Sequence, residues 1–294
     1  MSVLLGNRVP IGLLLGAAVV AALLWLPAWA VLGLLLLVTA VAQLEFYALL
    51  EVGRAPSFKV LGVAAGLAFV AAAGAALWPV APGRLGGPLS AGAPGAGLLI
   101  VFALLFVAVL RQVARRDDPR PWETIGGTLA GFFCVAFTFS FVARLLGEWD
   151  LATGRLHVLY LLIVVKGADV GAFLVGCGLG RHKLIPRISP LKTWEGLAGG
   201  LLAGLLASAL MALAGGLPSA PWTAQPGWAA LLGLGLAAAG VVGDLAKSVF
   251  KRAAGVKDSG RLFGGLGGLL DVIDSVLFAA PVLYFVLRAW GANG

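Results

Sequence analysis

A chain of 294 residues that is 61% hydrophobic and only 12% charged is not a water-soluble globule; soluble domains carry about 25% charged residues, and this much apolar surface in water would aggregate. Its apolar residues come in long runs rather than at helical spacing, which makes the bilayer the solvent. The formal charge of +8 does not indicate nucleic acid as a partner: the cations sit in short loops between apolar runs, and no basic stripe with interleaved aromatics is present.

A membrane span needs about 20 apolar residues. Nine runs qualify in chain order: Val9–Leu26, Ala28–Leu50, Val60–Trp78, Ala93–Leu110, Ile125–Val142, Leu156–Leu179, Gly196–Ala214, Trp228–Val249 and Leu266–Ala289. The expected fold is therefore all-α, a polytopic integral membrane protein of about nine transmembrane helices. All nine tryptophans fall near a proposed end, where indole prefers the headgroup level. Arg8, the first run and Ala28-Trp29-Ala30 have the outline of a cleavable leader. A second run starts at once, which fits a tight helical hairpin better.

Taking the N-terminus as cytoplasmic puts sixteen of the 21 Lys and Arg on the cytoplasmic side. The other side holds Arg84, Arg144, Arg155 and Arg288, and Lys166 lies within a span. That bias predicts a multi-pass protein of the cytoplasmic (inner) membrane with its N-terminus inside. Pro79–Pro94 and Ser219–Pro226 read as extracytoplasmic loops. Residues 1–147 read as an N-terminal transmembrane scaffold with few polar signals. Residues 148–294 read as a C-terminal catalytic transmembrane region.

Charge within or beside a span is expensive and marks function. In the sixth run, Lys166-Gly167-Ala168-Asp169 places Lys166 and Asp169 three residues apart on one helix. That spacing suits either an internal ion pair or a polar cavity, whose surroundings Gly167, Gly171, Gly176, Gly178 and Gly180 keep small. The stretch Gly180 to Gly196 follows, with Arg181, Lys183, Arg187 and Lys192, hydroxyls at Ser189 and Thr193, and then Trp194 and Glu195. Cations and hydrogen-bond donors converging on one anion are what phosphate recognition needs.

A second segment runs from Gly243 to Ser275. Asp244 and Ser248 share a helical face, as do Asp271 and Asp274. Between these pairs lie Lys251, Arg252, Lys257, Asp258 and a glycine-rich stretch. Cys134, Cys177, His157 and His182 have no metal-ligand spacing. Carboxylates at Asp244, Asp258, Asp271 and Asp274 without cysteine or histidine suit a hard cation such as magnesium. Lys251, Arg252 and Lys257 are placed to neutralise nucleotide phosphates. A network of structural salt bridges is the competing reading of the same residues.

Ser248 to Asp274 resembles the signature of the phosphatidate cytidylyltransferase (CDP-diacylglycerol synthase) family: Ser, two residues, Lys-Arg, a gap, Lys-Asp-Ser-Gly, a turn, Gly-Gly, two residues, Asp, two residues, Asp. The upstream Gly167-Ala168-Asp169 and Ser189-Pro190-Leu191-Lys192-Thr193-Trp194-Glu195-Gly196 are also similar to family motifs, so the resemblance covers about Lys166 to Pro281. The family usually has Pro-Gly-His-Gly-Gly in the turn and Asp-Arg before the last x-Asp. Here Gly264, Leu266 and Val272 stand at the departing positions, while every carboxylate of the pattern is retained.

The resemblance implies transfer of CMP from CTP to phosphatidic acid, giving CDP-diacylglycerol and pyrophosphate. It implies Asp271, Asp258 and Lys257 as catalytic residues. Ser189, Lys192, Thr193, Ser248, Lys251 and Arg252 would bind substrate. Asp244, Asp258, Asp271, Asp274 and Asp169 would hold one or two cations, magnesium first. It also suggests a homodimer. A CTP-dependent lipid kinase of the polyprenol or phytol type has similar needs for nucleotide and metal. A secondary transporter with a cation site at broken helices, or an inactive scaffold, are readings of other classes.

Overall fold

The computed structural model describes residues 2–77, 94–115, 119–215, 217, 224–256, 260 and 267–291. The architecture is a set of helices with one short hairpin. Seven helices are long and apolar enough to cross a membrane among the described residues. Two shorter apolar helical stretches, Leu14–Trp25 and Lys59–Ala73, lie where the first and third spans are expected. Many large apolar side chains face outward, among them Leu98, Phe102, Phe106 and Val113 on one helix. Lipid, not water, is the solvent in which such a surface is stable. The protein is an all-α polytopic membrane protein apart from that hairpin.

The chain divides into two compact units, Met1–Leu151 with Ala253–Val272, and Ala152–Arg252 with Ile273–Gly294. The segment around residues 253–272, inside the region expected to be catalytic, thus belongs with the N-terminal unit.

The first unit contains α1 (Ser2–Trp25), α2 (Ala28–Val52), α3 (Lys59–Ala73), a 3-10 turn (Ala75–Leu77) and α4 (Pro94–Ala114). A longer helical run follows, α5 (Pro121–Gly131) and α6 (Thr138–Gly147) joined by a π-helical turn over Phe132–Phe137. Pro27, in extended conformation, separates α1 from α2 and has no N–H to continue the first helix. With hydrophobicity absent as a driving force between helices in lipid, small residues and interhelical hydrogen bonds hold this unit together. Gly62 and Gly131 leave room for the Tyr47 ring, whose hydroxyl donates to Thr128 O at 2.8 Å. Gln43 Nε2 donates to Gly62 O at 3.2 Å, and the Phe58 N–H donates to Thr128 Oγ1 at 2.8 Å. Phe69 packs edge-on against Phe132 with ring centroids 5.4 Å apart.

The second unit contains α7 (Leu151–Leu179), a hairpin of β1 (Lys183–Ile185) and β2 (Ser189–Thr193), α8 (Trp194–Leu213), α9 (Pro226–Ala253) and most of α10 (Leu269–Gly291). Its helices meet on small residues. A Cβ at Gly171 would overlap Ala203, and one at Gly200 would come within 3.0 Å of Ala168 O and 2.9 Å of Ala172 Cβ. Gly204 meets Gly233 and Ala237 in the same way, and Gly243 lies on the backbone of Asp274. Close backbones bring the polar side chains of α7, α9 and α10 within reach of one another.

Candidate active site

The loop expected between α7 and α8 folds as an antiparallel hairpin, with Lys183 opposite Thr193 and Ile185 opposite Ser189. Glu195 holds its base. Its carboxylate accepts the N–H of Arg181 at 3.1 Å and of His182 at 3.2 Å, and lies 2.6 Å from His182 Nδ1. Thr193 Oγ1 caps α8 by accepting the Gly196 N–H at 3.1 Å, which satisfies one of the donors a helix start leaves open. At the other end Arg252 Nε donates to Ile188 O at 3.1 Å, so this guanidinium ties the end of α9 to the hairpin.

The hairpin delivers Lys192 to a carboxylate. Lys192 Nζ lies 2.5 Å from Asp244 Oδ2 on α9. Lys247, one turn further along α9, reaches Asp244 Oδ1 at 3.3 Å and forms a second, closer pair with Asp274 Oδ2 on α10. Two carboxylates on two helices therefore converge on one ammonium, and both Lys247 and Asp274 are buried. Asp274 Oδ1 also accepts the Ser275 N–H at 2.6 Å. The Ser275 hydroxyl extends the network: Lys166 Nζ donates to it at 2.8 Å, and it donates to Asp169 Oδ2 at 3.0 Å. Lys166 and Asp169 pair directly at 3.0 Å. A network of ion pairs and hydrogen bonds runs from Lys192 through Asp244, Lys247 and Asp274 to Ser275, Lys166 and Asp169.

Of the residues singled out from sequence, Asp244, Asp274, Asp169, Lys166 and Lys192 enter this network. Ser248 lies beside it, its hydroxyl donating to Asp244 O at 2.7 Å. Ser189 opens β2 and Lys251 is half-buried near the end of α9. Lys257 and Asp258 lie outside the described residues. Asp271 sits in the other unit, where its Oδ2 accepts the Gly268 N–H at 3.2 Å at the start of α10. Among the described residues no three metal-ligating side chains cluster. Asp244 and Asp274 come together across Lys247, and Asp169 is engaged by Lys166 and Ser275. Their donor set is oxygen-only, the kind a hard divalent cation takes, and the cation between Asp244 and Asp274 here is the Lys247 ammonium.

Two members of this network, Lys247 and Ser275, and one carboxylate of the other unit, Glu45, were not singled out from sequence. Lys247 had a signal, a cation three residues after Asp244 inside an apolar run. Ser275 had none, being one serine among many. Glu45, a buried carboxylate in α2, accepts the N–H of Leu269 at 2.9 Å and of Leu270 at 2.8 Å. Its signal was a charge within the second span.

Residues 7–290 match the model of the cytidylyltransferase family. The chain is 39% identical over 190 residues to phosphatidate cytidylyltransferase of Bacillus subtilis, covering 65% of this chain and 66% of that one. It is 36% identical over 225 residues to the Mycobacterium leprae protein of the same name, covering 72% and 67%. An uncharacterized Escherichia coli protein, YnbB, is 37% identical over 193 residues, covering 65% and 63%. The chain spans about two thirds of the length of these curated relatives. With a family match over nearly all of its residues, this chain belongs to the cytidylyltransferase family.

Proposed function

We propose that the protein transfers CMP from CTP to phosphatidic acid, releasing pyrophosphate and forming CDP-diacylglycerol. The observation that carries this is the convergence of Asp244 and Asp274 on one cationic centre, with Lys192 of the hairpin beside it. The names of the relatives supply the substrate class.

Physically, an oxygen of the lipid phosphate attacks the α-phosphorus of CTP in line. The new bond is P–O to the lipid phosphate; the bond that breaks joins the α-phosphorus to the oxygen bridging to the β-phosphate, and its electron pair leaves with pyrophosphate. The nucleophile is already ionised near neutral pH, so no strong base is needed. The barrier lies in bringing two polyanions together, and fixed positive charge lowers it. Lys192 and Lys247 supply such charge from β2 and α9. Asp244 and Asp274 orient those ammonium groups and would hold magnesium, which when bound neutralises phosphate charge. Asp271, three residues before Asp274 in the chain, is a further carboxylate near the start of α10.

The loop distribution of Lys and Arg supports reading these segments as lying on the cytoplasmic side of the cell membrane. CTP is met there from the cytosol, and the lipid phosphate at the membrane surface. The deciding experiment incubates purified protein with radiolabelled CTP, phosphatidic acid and magnesium. Label in CDP-lipid with equimolar pyrophosphate is expected. In a parallel incubation with a polyprenol or phytol in place of phosphatidic acid, phosphorylated alcohol plus CDP would instead make the protein a lipid kinase. Substrate flux in liposomes lacking CTP, with no label transferred, would make it a transporter.

A further inference from the structure

We infer that Glu45 is a positioning residue of the reaction, clamping the two flanks of the glycine-rich segment and fixing Asp271 at the start of α10. The inference rests on the activity proposed above.

A helix begins with N–H groups that have no partner within the helix, and a side chain just upstream usually caps them. Gly267 and Gly268 precede α10, and neither has a side chain to offer. The acceptor comes instead from a distant part of the chain. Glu45 Oε1 takes the Leu269 N–H at 2.9 Å and Oε2 takes the Leu270 N–H at 2.8 Å. With each oxygen on a different N–H, the carboxylate fixes the helix start both in position and in rotation. A carboxylate at a helix N-terminus is also favoured by the peptide dipoles.

The upstream flank reaches the same carboxylate. A Cβ at Gly260 would lie 2.7 Å from Glu45 Oε1 and 3.2 Å from Gly268 Cα. Gly260 upstream of 261–266 and Leu269 and Leu270 downstream of it thus abut one side chain, and glycine at 260 is what lets the backbone come so close. Downstream, Asp271 Oδ2 accepts the Gly268 N–H at 3.2 Å. Gly267 has φ +89°, and a Cβ there would meet the Asp271 carboxylate. Asp271 is therefore held by the backbone that Glu45 anchors. A charge inside a span is costly unless it performs a task, and Glu45 lies well inside α2, a helix able to cross the membrane.

The test compares wild type with Glu45→Gln and Glu45→Ala by steady-state kinetics in both substrates, thermal unfolding, and hydrogen exchange of peptides covering 267–275. Glu45→Ala is expected to lower kcat about 10²-fold, the scale of a small misplacement of reacting groups, with the lipid KM nearly unchanged. Exchange at Leu269 and Leu270 should rise at temperatures where the protein is folded. Glu45→Gln, which keeps one acceptor oxygen, should recover part of both effects and decides the matter if Glu45→Ala does not fold. Unchanged kcat per folded molecule in Glu45→Gln, with protection intact, would overturn the inference. Absence of CDP-lipid synthesis by wild type would instead defeat the proposed activity. Exchange protection lost in the variants would then still show the clamp.

Discussion

Lys192 Nζ, at the end of the hairpin, stands 2.5 Å from Asp244 Oδ2 on α9. Both side chains are partly exposed, at 25% and 32%, so the pair contributes little to stability, about 0–1 kcal/mol. Its value is placement: an ammonium has three donors, and a partly exposed one can also face a phosphate. Lys192→Met should raise the KM for a phosphate-bearing substrate about tenfold, the loss of roughly 1.4 kcal/mol of binding. Melting temperature in detergent should hardly move. A large fall in melting temperature with normal activity per folded molecule would make Lys192 structural only.

Lys247 differs in kind. It and its partner Asp274 are buried, and it also touches Asp244. Removing one member of a buried pair leaves an uncompensated charge and costs about 3–5 kcal/mol. Lys247→Met should therefore destabilise strongly, and Lys247→Met with Asp274→Asn should recover part of the loss by neutralising the stranded carboxylate. A double-mutant cycle on unfolding in detergent checks this. Additive losses would show that the two residues are not coupled.

The helices were legible because a span must be a long apolar run, and lipid imposes that rule residue by residue. The ends were less so. The Trp228–Val249 run continues to Ala253, since Lys251 and Arg252 remain helical after hydrophobicity stops. The third run, placed over Val60–Trp78, is helical over Lys59–Ala73 and then tightens at Ala75–Leu77. The hairpin was not foreseen, because its alternation is broken by Pro186 and Pro190 and its pairing depends on Glu195 gripping Arg181 and His182. Asp244 and Asp274 were found because carboxylates in apolar sequence are conspicuous. Glu45 was passed over for a reason of distance. Its partners lie 224 and 225 residues away, and no local pattern announces a cap supplied from another helix.

Packing between α7 and α8 rests on glycine. A Cβ at Gly200 would crowd Ala168 O and Ala172, whereas one at Gly178 meets nothing within 4 Å. Gly200→Leu should therefore push the helices apart and destabilise by about 1–3 kcal/mol or more. Gly178→Leu, near the end of α7, should be tolerated. Folded yield and melting temperature of the two variants check the contrast, and equal effects would refute the packing argument.

The carboxylates themselves provide the most direct test of the chemistry. If Asp244 and Asp274 serve one cationic centre, each loss disables the same machinery. Asp244→Asn and Asp274→Asn should each lower cytidylyl transfer by about 10²–10³-fold, the scale for removing one preorganised electrostatic group. The double variant should be scarcely worse than either alone, because residues acting as a unit are not additive. Chelation should abolish wild-type activity and magnesium should restore it, with Asp274→Asn needing more magnesium for its residual rate. Rates are to be read per folded molecule, since both residues also neutralise Lys247. Two independent, multiplying losses would mean that the carboxylates act at separate places, and activity persisting in chelator would remove the divalent cation from the reaction.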